Sequence, residues 1–312
     1  MRTSFGRLRS TTRTCVIVIA VLGLATSVQG GGPASASFPG QNGRIAFTIG
    51  NHGGFDVYSM EPDGSSRLRL TTNRGEDSTP AWSPDGTRIA YDAATAGTAS
   101  RDIFIMNANG THRVNLTHDD VGDSYAAWSP SGQQLVFQKD FDLYRIDVDG
   151  SNSVALTSGR GLDGRADWSP DGTKIAFDSN LSHDFEIYTI LPDGSHMVNV
   201  TNRPRHFDAD PSWSPDGTRI AFSSSTRVRD GGNSDIFTMN ADGTGLERLT
   251  GGKSLDESPT WSPDGTQIAF WSYRDGDPDI FVVNADGSGR ARKITHNHHY
   301  EVDPAWQPLP ST

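Results

Sequence analysis

Apolar and polar positions alternate in short runs along this chain. The quartet Arg44-Ile45-Ala46-Phe47 returns as Arg88-Ile89-Ala90-Tyr91, Gln134-Leu135-Val136-Phe137, Lys174-Ile175-Ala176-Phe177, Arg219-Ile220-Ala221-Phe222 and Gln267-Ile268-Ala269-Phe270. On a strand the branched and aromatic side chains share one face and the small residue takes the other, where a neighbouring sheet can approach. A second run opens on an acid, at Asp56, Asp102, Asp142, Glu186, Asp235 and Asp279. In Ile103-Phe104-Ile105-Met106 it is apolar on both faces, as a strand covered from both sides must be. A third, shorter run ends in Leu70-Thr71, Leu116-Thr117, Leu156-Thr157, Val200-Thr201, Leu249-Thr250 and Ile294-Thr295. No 3.6-residue periodicity is sustained beyond the first 36 residues.

Tryptophan sets the period. Trp82, Trp128, Trp168, Trp213, Trp261 and Trp306 stand 46, 40, 45, 48 and 45 residues apart. Trp-Ser-Pro-Asp-Gly-Thr occupies 82–87, 168–173, 213–218 and 261–266, with Trp-Ser-Pro-Ser-Gly at 128–132. These Gly turns supply the positive φ of a tight hairpin. Four short strands in about 45 residues make one blade of a β-propeller. Six such periods fill the chain after residue 37, so the expected fold is all-β: one six-bladed propeller over 37–312. The first repeat has no Trp strand before its quartet, and Trp306 has no quartet after it. Residues 303–307 should therefore supply the inner strand of the blade begun by 44–71, which closes the ring and removes its open edges.

The first 36 residues read as an export signal. Arg2, Arg7, Arg9 and Arg13 precede an apolar run from Cys15 to Ala25, and Ala34-Ser35-Ala36 is a small-residue cleavage pattern. The run is short for a membrane span, so the mature chain should carry no transmembrane segment. Its location should be extracellular, periplasmic or in the cell envelope. The lone Cys15 lies inside the run, which leaves no cysteine for a disulfide or a CxxC zinc site.

Composition narrows the partners. The 312 residues carry 27 Lys and Arg against 38 Asp and Glu, a net charge of −11. That balance argues against nucleic acid, whose phosphates need a basic face. Gly (34) and Pro (17) are plentiful, which suits many turns. No nucleophile elbow, zincin helix, dinucleotide fingerprint or P-loop occurs.

The Trp-Ser-Pro-Asp-Gly-Thr-x-Ile-Ala-Phe string, then Asp-Ile-Phe, Asn-Ala-Asp-Gly and Leu-Thr, resembles the WD-like propeller repeat of the TolB family over residues 40–307. The resemblance implies an exported, protein-binding propeller. TolB itself has an α/β domain before its propeller. Here only a few residues separate the signal from the first blade, so that domain is expected to be absent, and a role in Tol–Pal does not carry over.

Within a repeat, a residue present in every copy is a structural part first, and one that breaks the pattern is a better candidate for function. The tryptophans are then inter-blade core. The Asp147-Val148-Asp149-Gly150 string resembles part of a calcium loop, but it lies at an ordinary repeat turn. Five residues before each Trp stands a carboxylate: Asp77, Asp123, Asp163, Asp208, Asp256 and Glu301. As a ring at the channel mouth they either pin their loops by accepting hydrogen bonds or form a cup for a cation or a basic peptide. The same face carries the variable loops, with Arg227 and Arg229 in repeat five and Trp271, Tyr273 and Arg274 in repeat six. His296, His298 and His299 cluster before the last Trp strand and His206 occupies a matching approach in repeat five; they are candidate ligands for a divalent metal, although no cofactor is required by the pattern. The resulting expectation is a monomeric module that binds or scaffolds an envelope or extracellular protein. A metal-assisted carbohydrate lyase or lactonase acting at the channel mouth is the alternative.

Overall fold

The computed structural model describes residues 37–51, 54–72, 75–94, 100–159, 161–226 and 233–310. These form six four-stranded antiparallel sheets arranged as blades around a central channel, with no helix among the described residues. Blades 2 to 6 run inner to outer in chain order. Their inner strands are Asp77–Trp82, Asp123–Trp128, Asp163–Trp168, His206–Trp213 and Asp256–Trp261. Each outer strand is a two-residue pair such as Val198–Asn199, whose Val198 is exposed. Blade 1 is built from both ends of the chain. Its inner strand is Tyr300–Leu309, antiparallel to Gln41–Asn51, with Trp306 opposite Ile45. The closure expected from the repeat count is therefore the closure observed.

The six tryptophans are all buried, at 3% exposure or less. They sit in clusters that each draw on two neighbouring blades. Trp128, for example, packs with Ala90, Ile103 and Leu116 of the preceding blade. The alanine of the quartet permits that approach.

The Asp-Gly turns hold themselves together locally. In blade 4 the Ser169 hydroxyl donates to Asp171 Oδ1 (2.6 Å), the Thr173 N–H donates to the same oxygen (3.0 Å), and the Lys174 N–H donates to Ser169 Oγ (2.9 Å). The same bonds recur around Asp85, Asp216 and Asp264. In the Ser variant of blade 3, Ser129 and Ser131 share a 3.0 Å hydroxyl contact instead. The second Gly turn is fixed by its neighbour. A Cβ on Gly243 (φ +86°) would lie 2.1 Å from the Val200 carbonyl oxygen of the preceding blade. Only glycine fits both that φ and that space.

Candidate functional site

Each inner strand breaks its ladder at the same depth. Register shifts fall between Ser78 and Ala81, Ser124 and Ala127, Gly164 and Asp167, Ala209 and Ser212, and Glu257 and Thr260. At each break the residue two places after the ring acid adopts a left-handed backbone: Thr79, Tyr125, Arg165, Asp210, Ser258 and, in blade 1, Asp303, with φ between 46° and 61°. For non-glycine residues this is a costly conformation, tolerated where a bulge re-aims a side chain. The residue that follows is Pro80, Pro211, Pro259 or Pro304 in four blades. Proline has no N–H to place in a ladder and is at home in a bulge.

The bulge N–H groups reach sideways. Thr79 N–H donates to Thr48 Oγ1 of the preceding blade (3.1 Å), and Asp210 N–H donates to Asp178 Oδ2 (3.2 Å). The Tyr125 N–H likewise donates to Asp92. The receiving residues sit on second strands, opposite the residue that follows each ring acid.

This level forms the throat of the channel. Arg165 of blade 4 donates from Nη1 to Asp178 Oδ2, and its Nε lies near Asp210 Oδ1 of blade 5, each at 3.1 Å. Its guanidinium stands 5.6 Å from the Tyr125 ring centroid of blade 3. The Ser223 hydroxyl donates to Asp210 Oδ2 (2.9 Å). Tyr125 feels the charges of Arg165, Asp92, Asp303 and Asp210, and burial first, then these acids, push its phenol up to about 12. Glu257 of blade 6 feels Asp210 and Arg165. Charged or phenolic groups from all six blades meet here, which only the axis of the ring permits. Burial raises Asp178 to about 6 despite Arg165. Gln138 crosses from blade 3, buried, with no hydrogen-bond partner for Oε1. That oxygen lies 2.4 Å from where a Cβ on Gly164 would stand, and Asp178 Oδ1 lies 3.8 Å from the same point. The Gln138 side chain thus takes the space that a side chain at Gly164 would need, with Asp178 alongside.

The six ring acids lie one step nearer the mouth, and all are buried at 4% exposure or less. Asp163, Asp208 and Asp256 accept from the cross-strand hydroxyls of Ser179 (2.5 Å), Ser224 (2.5 Å) and Ser272 (2.6 Å). Arg203 reaches Asp208 (3.1 Å), Arg274 reaches Asp256 (2.6 Å) and Arg67 reaches Glu301 (2.6 Å). Asp123 is opposite Lys139 and close to the Thr117 hydroxyl; burial pushes its carboxyl up to about 7. A pin recurs among the blades, where the threonine of the Leu-Thr run joins the third-strand acid. Thr71 and Asp56 form one such pin: the Thr71 hydroxyl accepts from Val57 N–H (2.9 Å) and donates to Asp56 Oδ1 (3.4 Å).

The other candidate residues are dispersed. Arg227 and Arg229 lie outside the described residues, as do residues 1–36, where the export signal is expected. Trp271 belongs to the second strand of blade 6, not to a loop. It is buried, and its indole N–H donates to Ser258 Oγ (3.1 Å). Tyr273 meets its edge at 5.6 Å between centroids, and Arg274 lies over Phe281 at 4.8 Å. His206 opens the inner strand of blade 5 and lines a cleft of about 220 Å³ with Arg203 and Arg248. His296 and His298 line a separate cleft of about 300 Å³ with Asp275, Asp277 and Asp279. Lys293 already occupies that cleft as a counter-charge, 2.5 Å from Asp279 and 3.4 Å from Asp275. His298 is fully exposed, 3.5 Å from Asp277, and His299 donates its N–H to Asn297 Oδ1 (2.9 Å). Among the described residues no three potential metal ligands converge.

Arg165, Asp178, Asp210 and Glu257 are not among the residues that the repeat pattern singles out. A signal for the bulge residues was present: at a fixed distance after each ring acid the residue differs in nearly every repeat, from Thr79 and Tyr125 to Arg165 and Ser258.

Comparison with known proteins agrees with the architecture. The family described as the TolB beta propeller domain matches residues 23–140 and 138–311. A protein TolB homolog of Chlorobium luteolum is 41% identical over 56 residues, which are 18% of this chain and 13% of that protein's length. The crystal structure of TolB from Acinetobacter baumannii superposes with a TM-score of 0.75 at 24% identity, covering 85% of this chain and 67% of the other. Kuenenia stuttgartiensis hydrazine synthase shares the fold at a TM-score of 0.74 and 15% identity, over 92% of this chain and 51% of the other. Such a range of neighbours is what a scaffold fold gives: the site, not the fold, carries function.

Proposed function

The chain belongs to the TolB beta propeller domain family, and from that premise we propose that it is an exported protein-binding module whose channel mouth docks an extended, basic segment of an envelope or extracellular partner. The observation that carries this reading is the throat itself. One buried guanidinium, Arg165, faces the carboxylates of Asp178, Asp210 and Glu257, so the axis carries excess negative charge within low-dielectric walls that focus its field. Side chains at the same end of the channel give an apolar frame. Phe185 and Phe207 pair at 6.3 Å between centroids, Tyr273 packs on Trp271, and Tyr300 is 39% exposed. Aromatic side chains around a charged centre are what a peptide anchor needs. We read the ring acids as the frame that holds this mouth in shape, since Asp163, Asp208 and Asp256 accept from serine hydroxyls and Asp208, Asp256 and Glu301 pair with arginines.

The test is calorimetric titration with a blocked eight-residue peptide of alternating glycine and lysine, set against its glutamate counterpart. The lysine peptide should bind, and more weakly as salt rises. Replacing Asp178→Asn together with Asp210→Asn removes both carboxylates paired with Arg165 and should weaken binding strongly, with folding checked by circular dichroism. Equal affinity for the two peptides would rule the reading out.

A further inference from the structure

The second Gly turn of each blade carries aspartate in five copies and asparagine in one. Asp63, Asp149, Asp193, Asp242 and Asp286 each accept from the N–H two residues on, at 2.8–2.9 Å. In blade 2 the place belongs to Asn109. Its neutral Oδ1 accepts from Thr111 N–H at a longer 3.2 Å and from the Thr111 hydroxyl at 2.6 Å. Asn109 is exposed, and among the described residues its Nδ2 has no hydrogen-bond partner. Gly110 follows, and the fold requires glycine there. Its φ is +81°, and a Cβ would lie 2.5 Å from the Leu70 carbonyl oxygen of the preceding blade. A glycine after asparagine leaves the next backbone nitrogen least hindered in reaching the side-chain carbonyl carbon.

The chain holds one other such pair, Asn42-Gly43. It lies in the strand Gln41–Asn51, which pairs with the closing strand. There Asn42 Nδ2 donates to Asp264 Oδ2 (2.9 Å), and Asn42 Oδ1 accepts from Asp264 N–H (3.1 Å). Gly43 is buried against the Gln307 side chain. The amide is thus held at both atoms, and its reaction must wait for the ring-closing ladder to open. At Asn109 only one exposed turn has to open, which costs far less.

We infer that Asn109 is a modification site, at which the folded protein deamidates without an enzyme to give the aspartate that the other five turns carry. The Gly110 nitrogen loses its proton to solvent and attacks Asn109 Cγ. The N–Cγ bond forms, the Cγ–Nδ2 bond breaks, and Nδ2 leaves as ammonia after taking up a proton. Water then opens the cyclic imide, so that overall water enters and ammonia leaves. Opening at Cγ gives aspartate at 109, with the main chain unchanged and one negative charge added. Opening at the main-chain carbonyl gives isoaspartate, whose extra main-chain carbon disrupts the bond from Gly110 N–H to the Asn107 carbonyl (2.9 Å). The aspartate product offers Thr111 a charged acceptor, which the longer amide bond lacks. This turn lies at the end of blade 2 away from the mouth, so the inference stands apart from the docking reading.

The test is peptide mass spectrometry of protein held at pH 8, folded or in urea. Tryptic fragment Asp102–Arg113 and the fragment ending at Arg44 are followed for the mass gain of replacing NH by O, with fragmentation assigning the residue. In the folded protein Asn109 should convert about tenfold or more faster than Asn42, and in urea the two rates should converge. Equal rates in the folded protein, or conversion of Asn109 in urea alone, overturn the inference. Asn109→Asp should melt about 1–2 °C above wild type at pH 7. A melting temperature at or below that of wild type overturns the fit of the product to the turn.

Discussion

The ring of Asp-Gly turns and the throat of the channel are both built from carboxylates at blade junctions, yet they behave oppositely. At the turns the same acid recurs and is served by its own neighbours in sequence. Hydrogen bonds from Ser169 and Thr173 hold the Asp171 carboxyl below its ordinary value. At the throat the residue changes from blade to blade and its partners come from other strands and from neighbouring blades. Burial raises Asp178 and Glu257 there. Repetition marks a joint that must be the same six times, whereas irregularity on the same frame marks a place where six different residues meet once.

The contrast sets the predictions, beginning with the joint on which every other depends. Deleting residues 303–312 removes most of the inner strand of blade 1, and with it Trp306 opposite Ile45. The cooperative thermal transition should be lost, and a deletion protein melting at the wild-type temperature would contradict ring closure as the source of stability. Next is the throat. Arg165→Met leaves Asp178 and Asp210 facing each other without a counter-charge, at a cost of about 3–5 kcal/mol in urea unfolding at pH 8. The loss should shrink at pH 5, where the Asp178 carboxyl takes up a proton. A third change returns to the repeated frame. Gly243→Ala combines a positive φ with a Cβ against the Val200 carbonyl and should cost about 2–4 kcal/mol. Gly252→Ala, with φ +141° and no neighbouring atom within reach, serves as its control and should lose only the backbone part. The smallest effect is expected at a single turn. Asp171→Ala removes one Asx turn and should cost about 0.5–1.5 kcal/mol at pH 7.

The pH profiles sharpen the same contrast. Asp171 has a folded-state pKa below its unfolded value of 3.8, so its contribution is present above that pH and is lost as pH falls through the folded value. Glu257 has a folded-state pKa of about 8 against 4.5 unfolded. Its contribution is full below about 4.5 and is lost as pH rises through about 8. Acid should therefore weaken the turns and alkali the throat. Glu257→Gln should flatten the alkaline limb of a melting-temperature profile and leave the acid limb in place.

Much of this was legible in the sequence. Six copies of one pattern gave the blade count, the buried tryptophans and the closing strand, because each of these is a count or a local period. The position of the ring acids was legible too, but not their surroundings. Ser179, Ser224 and Ser272 lie 16 residues after their acids, and only the hairpin register brings each pair together. Trp271 was out of reach for a similar reason: the second strand of every blade runs on past its quartet, so the position of Trp271, like those of Asp92, Asp178 and Ser223, lies inside the ladder and not in the loop.

By itself, then, the sequence determined every feature made by bonds within a few residues: the Asp-Gly turns, the alternation of the strands and the six-fold period. The tertiary structure alone decided which charges meet. Arg165, Asp178, Asp210 and Glu257 are spread over more than 90 residues, and nothing local links them. They become neighbours because the ring closes and each inner strand bulges at the same depth. Burial and Coulomb energy depend on distance in space, and closure of the ring fixes that distance.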